Sequence, residues 1–265
     1  MIFEKAATTG ALATGGALGL VYKRTSRYDH LRDRLEQTLP AMGGLEPLEA
    51  KAVPSFEARF ITLPSFLPAP VFEQICLEIE ALVDHERSFI PTHKKGGTVA
   101  YETIIERAPK VAALYHSPAL QAFVSRIVGA KVFPTPINDQ SSLSVLFYDR
   151  PGDHIGWHFD HNFYRGRHFT LLLPMVNQGH AESGLSHARL EAKLGGRDTY
   201  VATPPNSFIL FEGAKVLHRV TPIAEGERRV VLSMTYCLDP RTTMVRDLAR
   251  RVKDTAFFGV RALWT

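Results

Sequence analysis

Apolar and polar residues alternate along the second half of the chain in short runs. Such runs lie at residues 142–148, 155–160, 167–176, 199–202, 207–211, 216–220 and 228–238. A period of two is typical of a strand, because successive side chains point to opposite faces. Several short strands with turn residues between them predict a β-sandwich or a closed β-sheet.

The first half of the chain has helical patterns instead. Between Pro68 and His85, apolar residues recur at the spacing of one helix face. Further helices are predicted at 28–39, at 102–115 with a break at Pro109, at 117–129 and, near the C-terminus, at 242–253, and a single short strand at 60–63. We expect the helices to pack outside the sheet and to buttress it. The predicted fold class is therefore mainly β with flanking helices.

A basic segment with two glycines, 93–98, has two interpretations. It is either a plain surface loop or a loop over the mouth of an active site that touches the substrate. Lys94 and Lys95 with exposed backbone N–H groups would favour an anion there. The segment matches neither a phosphate-binding loop of the Walker type nor a dinucleotide fingerprint.

Composition excludes some classes of function. The 265 residues carry a net charge of +4 without a long basic run, so a solvated surface is favoured over nucleic-acid binding. The two cysteines, Cys76 and Cys237, form neither a CxxC motif nor a disulfide framework. Reduced core thiols indicate a cytoplasmic compartment.

The N-terminal segment 6–22 has no charged residue and is flanked by lysine and arginine. One interpretation is a loosely packed arm, and the other is a weak membrane anchor at the short end of the length that spans a bilayer. We therefore divide the chain into an arm and linker at 1–56 and a catalytic domain at 57–265, with a core at about 142–238.

The candidate chemistry is concentrated in the segment Gly156-Trp157-His158-Phe159-Asp160. On a strand, His158 and Asp160 point to the same side. A second histidine from a neighbouring strand would complete the two-histidine, one-carboxylate set that holds Fe(II) in non-haem oxygenases, and His218 is the best candidate. His154 has no carboxylate on its own strand face, and His161 would point away from Asp160.

This order of motifs resembles the 2-oxoglutarate/Fe(II)-dependent dioxygenase superfamily, in particular its prolyl-4-hydroxylase-like branch. The resemblance covers about 143–236 and consists of a Tyr-bearing strand, His-x-Asp, a Thr-bearing strand, and a His followed ten residues later by Arg. It implies a double-stranded β-helix, or jelly roll. It also implies Fe(II) on His158, Asp160 and His218, with 2-oxoglutarate and O2 as co-reactants.

The resemblance assigns further roles. Arg228 would bind the distal carboxylate of 2-oxoglutarate, with Arg229 as the alternative. Tyr148 and Thr170 would line the cosubstrate pocket. Substrate-facing loop positions correspond to His161, Asn162 and Arg165.

The implied reaction is oxidative decarboxylation of 2-oxoglutarate to succinate, coupled to hydroxylation or a related C–H oxidation. Halogenases of the superfamily replace the ligand carboxylate with Gly or Ala, so Asp160 favours hydroxylation. Small molecules, lipid-like molecules and protein side chains all remain open as substrates. The alternatives are a cupin-like metal oxygenase that does not use 2-oxoglutarate and a non-catalytic jelly-roll binding or sensing protein.

Overall fold

A computed structural model of the chain describes residues 27–39, 43–82, 86–90 and 93–258. Helix α1 covers residues 27–38. The other helices are α2 (Pro47–Ala50), α3 (Ala69–Glu80), α4 (Tyr101–Arg107), α5 (Pro109–His116), α6 (Pro118–Val128) and α7 (Met244–Phe258). The side chain of Ser117 caps the first turn of α6, and Gly129 ends that helix in the left-handed conformation, as the sequence predicts.

The strands of the described chain are mostly short and lie mainly in its second half. They are β1 (Phe60–Leu63), β2 (Glu86–Ile90), β3 (Lys94–Val99), β4 (Phe133–Pro134), β5 (Leu143–Tyr148), β6 (His154–His158), β7 (Arg165–Gln178), β8 (Leu190–Leu194), β9 (Arg197–Val201), β10 (Phe208–Phe211), β11 (His218–Val220) and β12 (Arg228–Asp239).

These strands form one curled antiparallel sheet. Its order is β1-β10-β7-β12-β5-β3-β6-β11-β8-β9, with β2 beside β3 and β4 beside β12. Strands that are distant in sequence are therefore neighbours, as in the connections of a jelly roll. The predicted fold class, a double-stranded β-helix buttressed by helices, is confirmed.

The main hydrophobic core lies between the helices and the sheet. Ile75 of α3, Val111 of α5 and Phe123 of α6 are fully buried there with Leu232 of β12. A second cluster, which includes Leu190, fills the interior of the curled sheet. Helices α1 to α6 thus cover one face of the sheet, and the other face remains available for a site.

Residues before the predicted domain boundary pack on this same core. Leu31 of α1 and Leu48 of α2 are each 1% exposed and belong to the main cluster. Arg126 of α6 also donates to the carbonyls of Leu48 and Glu49. The division at residue 56 remains a prediction, but side chains from both sides of it share one hydrophobic interior.

Several elements differ from the sequence-based expectation, among them the unpredicted α2, β2 and β4. The segment 93–98 is not a surface loop, since Lys94–Val99 is strand β3, paired with β2, β5 and β6. Strand β8 was not predicted, because its alternation is short, and it forms a hairpin with β9. Helix α7 extends to Phe258, beyond the predicted end at 253.

Within the described residues, no helix has the length and apolar content needed to cross a bilayer. The uncharged segment 6–22 lies outside the described residues, so the structure does not test its two interpretations.

Candidate metal centre and adjoining cavities

Strand pairing brings the two candidate histidines together. His218 of β11 lies directly opposite His158 of β6 in the antiparallel register. Their ring centroids are 4.2 Å apart. The prediction that the second histidine comes from a neighbouring strand is therefore met by the structure.

Each of the two rings is oriented by a hydrogen bond to the backbone. His158 Nδ1 lies 2.8 Å from the carbonyl oxygen of Gly156, and His218 Nδ1 lies 3.0 Å from that of Val216. A carbonyl only accepts, so each Nδ1 donates a proton and each Nε2 is the ring nitrogen left to bind a metal. This arrangement is what metal-binding histidines require.

Asp160 follows β6 and completes the group. Its Oδ1 lies 3.5 Å from His158 Nε2 and 3.8 Å from His218 Nε2. The backbone N–H of Asp160 donates to the carbonyl oxygen of Gly213. Within the described chain, His158, Asp160 and His218 are the group whose ligand atoms lie close enough together to hold one metal ion.

Two neighbours fix the second oxygen of Asp160. Thr170 Oγ1 donates to Asp160 Oδ2 at 2.5 Å. A Cβ at position 213 would lie 2.5 Å from Asp160 Oδ2 and 2.7 Å from Thr170 Oγ1, so only glycine fits there. The carboxylate is therefore held by Oδ2 and presents Oδ1 to the two histidines.

The contacts within the group set the ionisation of its members. Burial lowers the pKa of His158, but the hydrogen bond and the charge of Asp160 outweigh it and raise that pKa. Burial raises the pKa of Asp160, but His218, His158 and the hydrogen bond from Thr170 outweigh it and hold that pKa well below its usual range. Burial lowers the pKa of His218, which keeps that ring neutral. One carboxylate and two imidazole nitrogens form the donor set that suits Fe(II), and the residues present therefore fit the metal that the sequence predicts.

On one side of this group lies a cavity that ends at a buried arginine, here called the Arg229 cavity. Its walls are strands β5, β6, β7, β8, β11 and β12. The lining residues are Leu146, Tyr148, Ile155, His158, Asp160, Thr170, Leu172, Leu190, His218, Val220, Arg229, Val231 and Ser233. Tyr148 and Thr170 both line this cavity.

Arg229 is the cation of this cavity. It is 1% exposed, and one of its guanidinium nitrogens donates to the carbonyl oxygen of Ala188. Its Nε has no partner, and no described carboxylate pairs with the group. Burial lowers its pKa, although the guanidinium remains charged. A buried cation of this kind is stabilised by an anionic ligand.

The sequence-based prediction that Arg228 points into the site and Arg229 points away from it is wrong. Arg228 lies at the surface, where its two terminal nitrogens pair with the carboxylate of Glu80 at 2.9 Å. The two neighbours face opposite sides of β12, as predicted, but the sides are exchanged. The sequence after Arg229 indicates which face of β12 points inward. Ser233 and Thr235 share the face of Arg229 and line the cavities, whereas the alternate positions are apolar.

On the other side of the metal group lies a second cavity, here called the Lys94 cavity. It shares His158, Asp160, Thr170, Leu146, Ile155 and Ser233 with the first. The rest of its lining comes from strands β3, β5, β7 and β12, from the loops before β3, before β5 and after β6, and from α7. These residues are His93, Lys94, Thr98, Asp139, Ser141, Ser144, Phe159, His161, His168, Thr235, Lys253, Phe257 and Phe258. Sequence reasoning missed Asp139 and Lys253 as residues of a site, whereas one of its two interpretations of segment 93–98 placed Lys94 at the mouth of an active site.

The predicted substrate positions separate in the structure. His161 lines the Lys94 cavity and stacks on Phe163, with ring centroids 5.8 Å apart. Asn162 instead stabilises a turn through the carbonyl oxygen of Gly166. Arg165 is exposed at the start of β7. Neither Asn162 nor Arg165 lines a described cavity, which corrects their predicted placement.

A scan against protein families matches one model, described as Halogenase D, over residues 49–257. The chain belongs to the Halogenase D family. The match covers most of the chain and all of the candidate metal group. No curated protein sequence matches the chain.

Solved structures share the fold of this Halogenase D family member. The 2-oxoglutarate-dependent epimerase SnoN of nogalamycin biosynthesis is 14% identical, with a TM-score of 0.55 over 73% of this chain and 82% of that one. A prolyl-4-hydroxylase from Pseudomonas putida is 15% identical, with a TM-score of 0.51 over 67% and 90%. The predicted resemblance to the 2-oxoglutarate/Fe(II) oxygenases is confirmed at the level of the fold.

Proposed function

We propose that the chain is an Fe(II)- and 2-oxoglutarate-dependent oxygenase. His158, Asp160 and His218 hold the iron, and Arg229 binds the distal carboxylate of 2-oxoglutarate. The observation that carries the proposal is a complete ligand group beside a buried guanidinium that has no carboxylate partner. Arginine suits this role because its planar fork grips both oxygens of a carboxylate.

The division of the site explains how the cosubstrate would be oriented. Arg229 and Tyr148 line the same cavity as the metal group. Tyr148 is packed beside the guanidinium, with the Arg229 Cζ 5.9 Å from the centre of its ring. Leu172, Leu190 and Val231 add apolar walls to this cavity, which would help to exclude water from the bound cosubstrate.

Iron in this group would supply the oxidation of a C–H bond. One substrate C–H, one 2-oxoglutarate and one O2 give one C–OH, one succinate and one CO2. Thr170 keeps Asp160 ionised and aimed at the metal position, since its hydrogen bond stabilises the charged form. The substrate would approach from the Lys94 cavity, which is lined by two of the three ligands, His158 and Asp160.

Hydroxylation is proposed as the reaction because Asp160 occupies the third protein ligand position. Its Oδ1 faces both histidines, and Gly213 closes the space beside it. A halide ligand would need the position that this carboxylate fills. Halogenation is the second candidate, and the match to the Halogenase D model favours it.

Two rival classes predict different behaviour. A cupin-like oxygenase would have no use for the buried charge of Arg229, and a non-catalytic jelly roll would not need three oriented ligands. Among the solved structures of the same fold, the epimerase SnoN is in complex with nogalamycin RO, and a prolyl hydroxylase from Trichoplax adhaerens is in complex with a peptide fragment. Both a small molecule and a protein side chain therefore remain candidates for the substrate.

The test uses the full chain, purified without metal. We expect one Fe(II) per chain and succinate formation that depends on both Fe(II) and 2-oxoglutarate, even without substrate. Activity independent of 2-oxoglutarate would favour the cupin-like class, and absence of metal binding would favour the non-catalytic protein.

Halide titration separates the two oxidation reactions. Bromide added to the anaerobic Fe(II)–2-oxoglutarate form should leave its visible spectrum unchanged in the wild type. The same titration should change the spectrum of Asp160→Gly, which opens a ligand position. A bromide-dependent change in the wild type would instead support halogenation.

A further inference from the structure

The Lys94 cavity contains a second buried cation. Lys94 is 6% exposed, although a lysine is rarely buried without a partner. Its ammonium group donates one hydrogen bond, to Thr98 Oγ1 at 2.6 Å, and lies 5.2 Å from the centre of the Phe257 ring. An ammonium has three N–H donors, so two of them have no acceptor in the described chain.

The other lysine of this cavity is fully paired. Lys253 Nζ lies 3.1 Å from Asp254 Oδ1, 3.3 Å from Asp139 Oδ1 and 2.8 Å from Ser141 Oγ. Three acceptors match its three donors. Lys94 therefore carries the one positive charge of the cavity lining that has no described counter-ion, apart from any charge on the histidines.

The two carboxylates that line the Lys94 cavity, Asp139 and Asp160, already have partners within the chain. Asp139 accepts hydrogen bonds from Tyr164 Oη at 2.8 Å and from the Ser141 backbone at 3.1 Å, in addition to Lys253. Asp160 faces the two histidines. Neither is free to receive an ammonium group from a ligand.

The other residues of the lining indicate which chemical groups a ligand of the Lys94 cavity would carry besides a negative charge. Leu146, Ile155, Phe159, Phe257 and Phe258 give apolar walls. The hydroxyls of Ser144 and Ser233, which face each other across β5 and β12, make no hydrogen bond in the described chain. His168 Nδ1 is likewise buried without a partner. Single polar groups between apolar walls are typical of a small-molecule site.

We propose that the substrate is a monocarboxylic acid with an apolar skeleton, whose carboxylate pairs with Lys94. One unpaired ammonium matches one negative charge better than the two charges of a phosphate monoester. The occupied state of Asp139 and Asp160 disfavours amines and zwitterions. This inference rests on the proposed function, since it takes the metal group as the reacting centre.

The alternation of side chains along β3 explains why Lys94 lines the cavity and Lys95 does not. Lys94 and Thr98 lie on one face of β3, and Lys95 lies on the other. Lys95 donates to the Pro151 carbonyl oxygen at 2.8 Å and lines neither cavity. Two adjacent lysines on one strand thus differ in environment, and Lys95 is a matched control.

The experiment is calorimetry with the full chain loaded with Fe(II) and 2-oxoglutarate under anaerobic conditions. The probes share one carbon skeleton: hexanoate, hexanamide, hexylamine and 2-aminohexanoate. We expect hexanoate to bind at least about tenfold more tightly than each of the others, as one charged hydrogen bond in a buried site implies. Equal binding of hexanamide, tighter binding of 2-aminohexanoate, or no binding of hexanoate would overturn the proposal.

Substitutions of Lys94 and Lys95 test which of the two lysines binds the carboxylate of hexanoate. Lys94→Met should weaken hexanoate binding by about tenfold or more, and Lys95→Met should leave it within about twofold. Lys94→Arg keeps the charge and should retain part of the affinity. An affinity of Lys94→Met within about twofold of the wild type would contradict the assignment. Lys94→Met should fold, because it removes a buried cation and not a core contact.

The same titration keeps the two proposals apart. Its first step, 2-oxoglutarate binding to the Fe(II) form, tests the proposed function and should be unchanged in Lys94→Met. If that step is absent in the wild type, the proposed function fails. If it is present but hexanoate binding ignores Lys94, only the substrate inference fails.

Discussion

The two cavities on either side of the metal group differ in how they are built. Apart from Asp160, strands alone line the Arg229 cavity, and their register fixes every side chain. Loops and helix α7 contribute much of the Lys94 cavity. Each contains a buried cation without a carboxylate partner. Under the proposed function, the strand-lined cavity would hold the constant cosubstrate and the cavity lined partly by loops would hold the variable substrate.

The largest effect is expected for Fe(II) binding by the metal group, which adjoins both cavities. His218→Ala should weaken Fe(II) binding by more than about 100-fold, which exceeds the cost of losing an outer partner of a metal ligand. His154→Ala is the control on strand β6, because His154 bonds to Gly152 and lines neither cavity. Metal titration with an absorbing chelator measures both, and iron bound normally by His218→Ala would reject the ligand assignment.

The next effect belongs to the Arg229 cavity alone. Arg229→Met should raise the dissociation constant for 2-oxoglutarate by about 100-fold, the loss expected when one partner of a buried charge pair is removed. Arg228→Met should leave it within about twofold, since an exposed ion pair with Glu80 contributes little. Calorimetry with the Fe(II) form checks both variants. The reverse result would restore Arg228 to the role that the sequence assigned.

Thr170→Val should have a smaller effect, shared by both cavities. Loss of its hydrogen bond to Asp160 should lower metal affinity by about 10- to 100-fold, the usual cost of removing an outer partner of a metal ligand. Thr170→Ser keeps the hydroxyl and should restore most of that affinity. Failure of the serine variant to recover would show that Thr170 acts by packing.

The smallest effect concerns stability in the Lys94 cavity. Burial, with the charge of Lys253, lowers the pKa of Lys94 to about 8. A folded pKa below the unfolded value means that the protonated lysine destabilises the fold below about pH 8, and that this penalty is relieved between about pH 8 and 10.5. Lys94→Met should therefore melt above the wild type at pH 7, by a margin that shrinks as pH rises through this window.

The control for this prediction is Lys95→Met, whose difference from the wild type should not change over the same pH range. A Lys94→Met protein that melts below the wild type at pH 7 would show that the ammonium is already compensated in the folded chain. Lys94 would then need no carboxylate from a ligand.

The part of the site that sequence reasoning located is the part made by strands. His158 and His218 meet because antiparallel pairing aligns them, and period two places Tyr148 and Thr170 on the inner face. The choice between Arg228 and Arg229 failed because spacing from His218 does not fix which face of β12 points inward. The serine and threonine further along β12, Ser233 and Thr235, indicate which face points inward.

The Lys94 cavity could not be predicted in this way. Gly96 and Gly97 suggested a loop, because glycine is depleted in strands, yet β3 pairs on both sides and overrides that preference. The pairing of Lys253 with Asp139 joins residues 114 positions apart. Only tertiary structure shows that one lysine of this cavity is satisfied and the other is not.

The central claim is that His158, Asp160, His218 and Arg229 together form one Fe(II)–2-oxoglutarate site. Its most direct test is anaerobic titration of the metal-free chain with Fe(II) and then 2-oxoglutarate, followed by visible absorbance. We expect a charge-transfer band at one iron per chain that is lost in His218→Ala and that requires a much higher 2-oxoglutarate concentration in Arg229→Met. Iron binding without any band, or a band unaffected in Arg229→Met, would contradict it.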